Sequence, residues 1–377
     1  MMTNKNIATQ LVQLGNHTDS KTGAVNTPIY LSTAYTHDGL GQSTGYDYTR
    51  TKNPTRTVLE EGFAKLESGD AGFACSSGMA AVQLVLSLFK SGDEIILPED
   101  IYGGTYRLLG QYQEQYAIKS HYAKFSSVSE VEGLINENTR AIFIETPTNP
   151  LMQEFDIELY AKLARKHSLL LIVDNTFLTP YYQRPIELGA DIVIHSATKY
   201  IGGHNDVLAG LVVSKGKELS EKLFTNHNAA GATLAPIDSW LLLRGLKTLH
   251  LRMKQHTENA KHIAAYLEQE PLVKDVLFAG KGGMISFRLQ KGEWVGKFLE
   301  NLKLIVFAES LGGVESFITY PTTQTHADIP EAERIARGVD DSLLRFSVGI
   351  EEAEDLIADL QQVFSILEKE VSSYEFN

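Results

Sequence analysis

Residues 169–199 read LLLIVDNTFLTPYYQRPIELGADIVIHSATK. Two short apolar runs, LLLIVD (169–174) and DIVIHS (191–196), are rich in β-branched residues and end in polar ones. Runs of this length with no polar alternation predict strands buried on both faces, the habit of a parallel sheet covered by helices. The same signature recurs upstream in AIFIE (141–145), EIILPE (94–99) and AGFACS (71–76). Helical patterns separate these runs. Asn53-Pro54 opens a helix with Val58, Leu59, Phe63 and Leu66 on one face and Gly69 at its end. Met79–Phe89 reads as a mostly apolar helix, and Ser127 with Glu130 has the spacing of a capping box. Strands alternating with helices predict an α/β chain built on a mostly parallel, doubly wound sheet.

The pattern changes near 236–268, where SWLLLRGLKTLHLRMKQHTENAKHIAAYL predicts one long helix or two joined ones. Beyond it GGMISFRL (282–289), LIVFAES (304–310) and LLRFSVG (343–349) read as strands among helices. The expected organisation is an N-terminal arm at 1–50, a large domain at 51–245 and a smaller α+β domain at 246–377. The arm has no strong period, but IYLSTAYTHDG (29–39) and GYDYTR (45–50) are too aromatic for a disordered tail.

The net charge of -13 argues against a nucleic-acid partner, which needs a concentrated basic surface. It leaves a small-molecule substrate open, because a basic pocket can sit inside an acidic protein. The single cysteine, Cys75, rules out an internal disulfide and suits a reducing cytoplasm; in an apolar strand it reads as a structural thiol. The N-terminus shows no secretory pattern, and no stretch approaches the roughly 20 apolar residues of a membrane span, so no membrane partner is expected. The eleven histidines show no HExxH or comparable metal spacing.

In open parallel sheets, ligands bind outside the carboxyl ends of the strands. Four predicted strands end in unusual polar groups: Ser76-Ser77-Gly78-Met79, the segment Glu145 to Pro150, Asp174-Asn175-Thr176, and His195 to Lys199. Ser77-Gly78 before a helix would attract a phosphate, though the same dipeptide also serves as a plain cap. Neither the dinucleotide glycine pattern nor the Walker A pattern occurs, so that phosphate need not belong to a nucleotide. A carboxylate at Asp174 is costly to bury unless a cation or hydrogen bonds offset it; it would serve a protonated pyridine nitrogen or a turn. Lys199, just after a buried strand, would be a nucleophilic amine if desolvated and an ordinary loop lysine if not. Ser196 and Thr198 beside it offer hydroxyls to the same phosphate. Together these features supply an imine-forming lysine, a pyridinium partner and a phosphate cradle, which pyridoxal 5'-phosphate (PLP) requires.

The chain resembles the Cys/Met-metabolism PLP family of cystathionine γ-synthases, cystathionine lyases and O-acylhomoserine sulfhydrylases. The resemblance runs nearly end to end, through YDYTRTKNPTR (46–56), SSGMAA (76–81), YGGTYR (102–107), ETPTNPL (145–151), VDNTF (173–177), HSATKYIGGHNDVLAG (195–210), AESLGGVES (308–316) and LLRFSVGIE (343–351). It implies an aspartate-aminotransferase-like (type I) fold and, residue by residue, a site. Lys199 would carry PLP and move protons, Asp174 would pair with the pyridine nitrogen, and Tyr102 would be a second catalytic residue, stacking on the ring and assisting proton transfer. Gly78, Met79, Ser196 and Thr198 would hold the phosphate, reached also by Tyr48 and Arg50 of a neighbouring subunit in a homotetramer. Arg345 would clamp the substrate α-carboxylate, with Asn149 and Ser310 orienting cofactor and substrate.

The implied reaction is γ-replacement on an O-acylhomoserine in methionine biosynthesis, with cysteine giving cystathionine or sulfide giving homocysteine; cystathionine cleavage is the family's other activity. Glu309 stands where family β-lyases tend to have an aromatic residue and would suit the far amino group of cysteine or cystathionine. Asp47 and Arg107 match positions found in γ-synthases. Two departures bear on substrate choice. FAGKGGMISF lacks a stretch of around twenty residues that typical members carry before the strand. Thr51 stands where many relatives have a second arginine, which would favour smaller nucleophiles.

Two other classes compete. Ser196-x-x-Lys199 with Lys21-Thr22-Gly23 matches part of the β-lactamase set, but the order is reversed and Ser-Asp-Asn is missing. A PLP-binding regulator without turnover need not keep a substrate clamp such as Arg345.

Overall fold

The computed structural model describes residues 5–374; positions 1–4 of the arm and 375–377 of the C-terminal region lie outside the described residues. The first sheet contains β1 (Ala71–Cys75), β2 (Glu94–Pro98), β3 (Lys119–Ala123), β4 (Thr139–Glu145), β5 (Leu170–Asp174), β6 (Ile192–Ser196) and β7 (Gly210–Ser214), in the order β1-β7-β6-β5-β4-β2-β3. The apolar runs form its centre: Ile95–Leu97, Leu171–Val173, Ile192–Ile194 and Leu211–Val213 are essentially without exposed surface. Strands β5 and β6 are parallel, as are β2 and β4.

β7 departs from the parallel pattern. It runs antiparallel to both of its neighbours, β1 and β6. The connection at 197–209 explains this. It folds on itself through Lys199 N–H to Ser196 O (3.2 Å), Gly202 N–H to Ala197 O (2.8 Å) and Gly203 N–H to Lys199 O (2.8 Å). It contains no crossover helix, so the chain returns beside β6 in the opposite direction.

The helix opened by Asn53 runs over Pro54–Leu66, with the Asn53 side chain accepting from the amides of Thr55 and Arg56. Its end differs from expectation. Ser68, not Gly69, takes the left-handed conformation (φ 64°). Gly69 is needed because a Cβ there would lie 2.2 Å from Val213 Cγ1 of β7. The next helix is Gly78–Leu86, shorter than the apolar pattern suggested. At the capping box, Ser127 accepts from Glu130 N–H (3.2 Å), while the Glu130 carboxylate reaches Ser126 and Lys124 amides instead of that of Ser127.

The arm is not wholly extended. Ile7–Gln13 is a helix too short to show a period in sequence. Lys247 ties it down, donating to the carbonyls of Val12 (3.0 Å) and Leu14 (2.7 Å) and to Asn16 Oδ1 (2.8 Å). Further on, Ala34 and Tyr48 share an isolated bridge, while Val25, Leu31 and Leu40 project outward.

The chain falls into two compact units. The first takes residues up to 97, 108–144 and 156–250; the second takes 98–107, 145–155 and 251 onward. A single 32-residue helix, Pro236–Leu267, passes from one to the other. The second unit holds β8 (Val273–Leu277), β9 (Met284–Leu289), β10 (Val306–Phe307), β11 (Phe317–Thr319) and β12 (Leu343–Ser347), ordered β10-β11-β12-β9-β8. Ile263, Leu267, Phe287, Phe298, Phe346 and Phe364 build its core, with Phe298 5.9 Å from the Phe287 ring and 5.4 Å from that of Phe364. The stretch before Gly282 connects antiparallel β8 and β9, with Gly280 and Gly282 at positive φ. LIVFAES yields only the two-residue edge strand β10, because the backbone turns at Ser310 (φ 127°). No helix among the described residues is long and apolar enough to cross a membrane.

Candidate active site

In the first unit, the carboxyl ends of β5 and β6 lie side by side, with Asp174 opposite Ile194. The register therefore brings Asp174 beside the segment Ser196–Lys199. Helix Gly78–Leu86 begins against the same segment: a Cβ on Gly78 would lie 2.8 Å from both Cβ and Oγ of Ser196. Gly210 of β7 is packed as tightly, since its Cβ would fall 2.1 Å from Ser77 O. Ser77 caps the helix by accepting from Ala80 N–H (3.0 Å). The amides of Gly78 and Met79, in the first turn, have no acceptor within the helix. Two glycines thus let a helix N-terminus close onto Ser196, which is the electrostatic arrangement a phosphate uses.

Asp174 receives two hydrogen bonds from Thr176, from N–H (3.0 Å) and Oγ1 (2.6 Å). Burial nevertheless raises its carboxyl above the usual Asp range; Thr176 and the neighbouring His195 only partly offset this. A cationic N–H aimed at this carboxylate would relieve the cost, so the residues fit a protonated pyridine ring as well as a phosphate. Thr198 is committed elsewhere: its hydroxyl donates to Ala209 O (3.2 Å) and accepts from Ala209 N–H (3.0 Å), leaving one acceptor lone pair. Lys199 is half-buried in the turn after β6. Cys75 is fully buried and burial pushes its thiol pKa up, which makes it inert at neutral pH.

A network that no local sequence pattern announced lies behind Asp174. His195 Nε2 and Glu67 Oε1 are 2.6 Å apart with no exposed side-chain surface, and Phe63 meets the imidazole edge-on at 5.1 Å. Asn175 Nδ2 donates to Glu67 Oε1 (3.3 Å) and to Gln183 O (2.8 Å), while Gln183 Nε2 returns a bond to Asn175 Oδ1 (3.0 Å). These bonds fix both residues next to Asp174 and Ser196 in sequence. Glu67→Leu leaves His195 buried without its partner and should cost about 3–5 kcal/mol, seen as an earlier midpoint in denaturant unfolding of the apo-protein.

Asp174→Asn should have opposite effects on two measurements. An Asp with a raised folded pKa contributes stability below its ordinary titration range and loses it as pH rises through the raised value. Above the ordinary Asp range the buried carboxyl is therefore a cost in the apo fold, and at neutral pH Asn should raise the apo-protein melting temperature. If the Asp174 carboxylate faces the ring nitrogen of bound PLP, the same change removes its counter-charge, and PLP should bind more weakly in equilibrium dialysis. Loss of apo stability with unchanged PLP affinity would contradict this role.

In the second unit, Arg345 of β12 is buried. Its Nη1 donates to Asn149 Oδ1 (3.0 Å), and its Nη2 to Ser310 O (2.9 Å) and Thr319 Oγ1 (3.0 Å). The structure thus brings together Asn149, Ser310 and Arg345 and adds Thr319, placed opposite Arg345 by the β11–β12 register. Ser310 has φ 127°, which side-chain-bearing residues rarely adopt; the turn directs its carbonyl at the guanidinium.

Tyr102 is half-buried, with its amide held by Glu145 Oε2 (3.0 Å). Its phenol pKa is raised, first by burial and then by Glu309, against the opposing pull of Arg107 and Arg345. Glu309, Arg107 and Arg345 therefore all lie within electrostatic reach of this hydroxyl. Glu309 is exposed, and Arg107 forms an ion pair with Asp328. Asp47, Tyr48 and Arg50 form an exposed cluster on the arm. Asp47 pairs with His37 (2.9 Å), and Arg50 bonds the carbonyl and side chain of Asn228 while lying 5.7 Å from the Tyr48 ring. Thr51 also bonds Asn228 Oδ1 (3.0 Å).

Residues 8–365 match the family model described as Cys/Met metabolism PLP-dependent enzyme. The chain is 62% identical to cystathionine gamma-synthase of Haemophilus influenzae, over 96% of this chain and 98% of that one. It is 61% identical to the cystathionine gamma-synthase/O-acetylhomoserine (thiol)-lyase of Bacillus subtilis, over 98% and 100%. The crystal structure of cystathionine gamma synthase from Xanthomonas oryzae pv. oryzae in complex with cystathionine superposes with a TM-score of 0.94 at 41% identity, covering 97% of this chain and 99% of that one.

Proposed function

The chain belongs to the Cys/Met metabolism PLP-dependent enzyme family, and we propose on that premise that it joins the sulfur of cysteine to the γ-carbon of an O-acylhomoserine. The products are cystathionine and the free acid. The chain is a PLP-dependent enzyme of the cystathionine γ-synthase type, and its fold is that of PLP-dependent synthases and lyases. The observation that carries the site assignment is the constellation at the ends of β5 and β6: a desolvated carboxylate, a helix N-terminus closed onto Ser196, and a lysine three residues on.

Bound PLP supplies an electron sink for the substrate's α- and β-carbons. The chain's own groups would do the rest. Lys199 Nζ holds the cofactor and then moves protons between substrate carbons. Asp174 keeps the ring nitrogen protonated. The amides of Gly78 and Met79 and the Ser196 hydroxyl hold the phosphate; Thr198 supports the turn that carries Lys199 and offers its remaining lone pair. Tyr102 stacks on the ring. Arg345, oriented by Asn149, Ser310 and Thr319, receives the substrate α-carboxylate as a rigid fork. Glu309 meets the amino group of the incoming cysteine. Asp47, Tyr48 and Arg50 act from a neighbouring subunit of a homotetramer, a reading supported by the outward-facing apolar residues of the arm. A cytoplasmic location and a place in methionine biosynthesis belong to the same reading.

Sulfide is the second nucleophile to consider, because the Bacillus subtilis relative carries both activities in its name. The test supplies O-acetylhomoserine with cysteine or with sulfide and quantifies cystathionine, homocysteine and 2-oxobutyrate. Cystathionine should be the main product in the cysteine arm. Cleavage of added cystathionine without any ester turnover would replace the proposal with a lyase.

A further inference from the structure

The first turn of helix Gly103–Tyr116 packs against the segment 325–333 of the same unit. A Cβ on Gly103 would lie 2.3 Å from Thr325 O. The Tyr106 hydroxyl sits 3.3 and 3.4 Å from the two carboxylate oxygens of Glu333, and the Arg337 guanidinium covers the Tyr106 ring at 4.7 Å. Between these anchors Arg107 and Asp328 form their ion pair. Both side chains are more than half exposed, yet the backbone that carries Asp328 is pinned on either side. His326 and Ile329 are buried. The His326 amide donates to Pro321 O (2.9 Å), its Nδ1 lies 2.8 Å from Thr325 Oγ1, and the Ile329 amide donates to His326 O (3.2 Å).

We propose that Asp328 is a specificity-determining residue: by neutralising Arg107, it biases the enzyme toward homoserine esters with an uncharged acyl group and against those ending in a second carboxylate. The inference rests on the γ-replacement reading above. Four charged side chains act on the Tyr102 hydroxyl: the carboxylates of Glu309 and Glu145 and the cations of Arg107 and Arg345. With Arg345 given to the α-carboxylate, Arg107 is the cation left for a distal anion. Asp328 cancels that charge, and Glu309 adds a negative one. An acyl group ending in methyl is indifferent to this balance. One ending in carboxylate must displace Asp328 from Arg107 or bind beside it against repulsion, which is discrimination by an unfavourable element aimed at the wrong ligand. Because the pair is exposed, the effect should be moderate and should weaken with salt.

The experiment measures kcat/KM for O-acetylhomoserine and O-succinylhomoserine, each with saturating cysteine, for the wild type, Asp328→Asn, Arg107→Leu and the double variant. Asp328→Asn should raise the succinyl-to-acetyl ratio by about 1.5- to 5-fold at low ionic strength, the scale of one exposed charge pair. High salt should shrink the gain, and the double variant should lose it. PLP content and circular dichroism of each variant confirm that the fold is kept, and Asp328→Ala replaces Asp328→Asn if the latter does not fold. An unchanged ratio, a gain that survives removal of Arg107, or a change confined to the KM for cysteine would overturn the proposal. A wild type that turns over neither ester would instead defeat the γ-replacement reading and this inference with it, whereas acetyl turnover with an unresponsive ratio defeats the inference alone.

Discussion

Lys199→Ala should abolish turnover and leave PLP held without a covalent link to the protein. In its proposed role, loss of the proton-moving amine alone would remove roughly 10²- to 10⁴-fold of rate, and loss of the attachment point would add to that. The variant should still take up PLP, because the proposed phosphate cradle of Gly78, Met79 and Ser196 and the carboxylate of Asp174 are untouched. It should release the cofactor on dialysis more readily than the wild type, and it should lack the visible absorbance of the lysine-linked form. Exogenous amines give a second readout: a small primary amine should restore part of the proton transfer without restoring the covalent link to the chain. Full activity in this variant would mean that another amine serves, which no other residue at the ends of β5 and β6 can supply.

Arg345→Ala should be the next most damaging change. The guanidinium is buried and fixed by Asn149, Ser310 and Thr319. In the proposed role a substrate carboxylate would meet a donor that is already oriented, and removing it would leave that carboxylate unpaired. The expected loss is roughly 2–5 kcal/mol, or about 30- to 4,000-fold in kcat/KM, mainly as a raised KM for the ester. Arg345→Lys should recover little, since a single ammonium cannot hold Asn149 and Ser310 while also presenting a planar fork. Asn149→Ala, by releasing one side of the fork, should show a smaller loss of the same kind. A fall in kcat with KM unchanged would point to a role in chemistry in place of carboxylate capture.

Much of the fold was legible because burial leaves a mark on sequence. LLLIVD, DIVIHS and AIFIE are apolar between their polar ends, and they are the covered central strands β5, β6 and β4. Direction leaves no such mark. GLVVS looks like any other buried strand, yet β7 runs against its neighbours because the turn after β6 sends the chain back. Edge strands are the other blind spot: β3 is KSHYA, half-buried with a lysine at its start, and shows no apolar run. Ser68 illustrates a third limit, since tight packing against Val213, not backbone freedom, dictated the neighbouring glycine.

The candidate site divides along similar lines. Residues clustered at the ends of apolar runs, Asp174 and Ser196 to Lys199, drew notice because a polar group after a buried strand needs a reason. Partners joined only through the fold did not. Glu67 reaches His195 across 128 positions, Asn228 reaches Arg50 across 178, and Asp328 reaches Arg107 across 221. Thr319 meets Arg345 through a strand register that no short motif encodes. The network around His195 is the clearest case, for a histidine inside a strand gave no hint of the carboxylate it would need once buried.

The decisive measurement is borohydride reduction of the PLP-loaded protein, followed by proteolysis and mass mapping of the phosphopyridoxyl group. The account predicts one labelled peptide, carrying the group on Lys199, with stoichiometry near one per chain and none in Lys199→Ala. Label on a different lysine with the HSATK peptide intact, or a protein that binds no PLP at all, would contradict it.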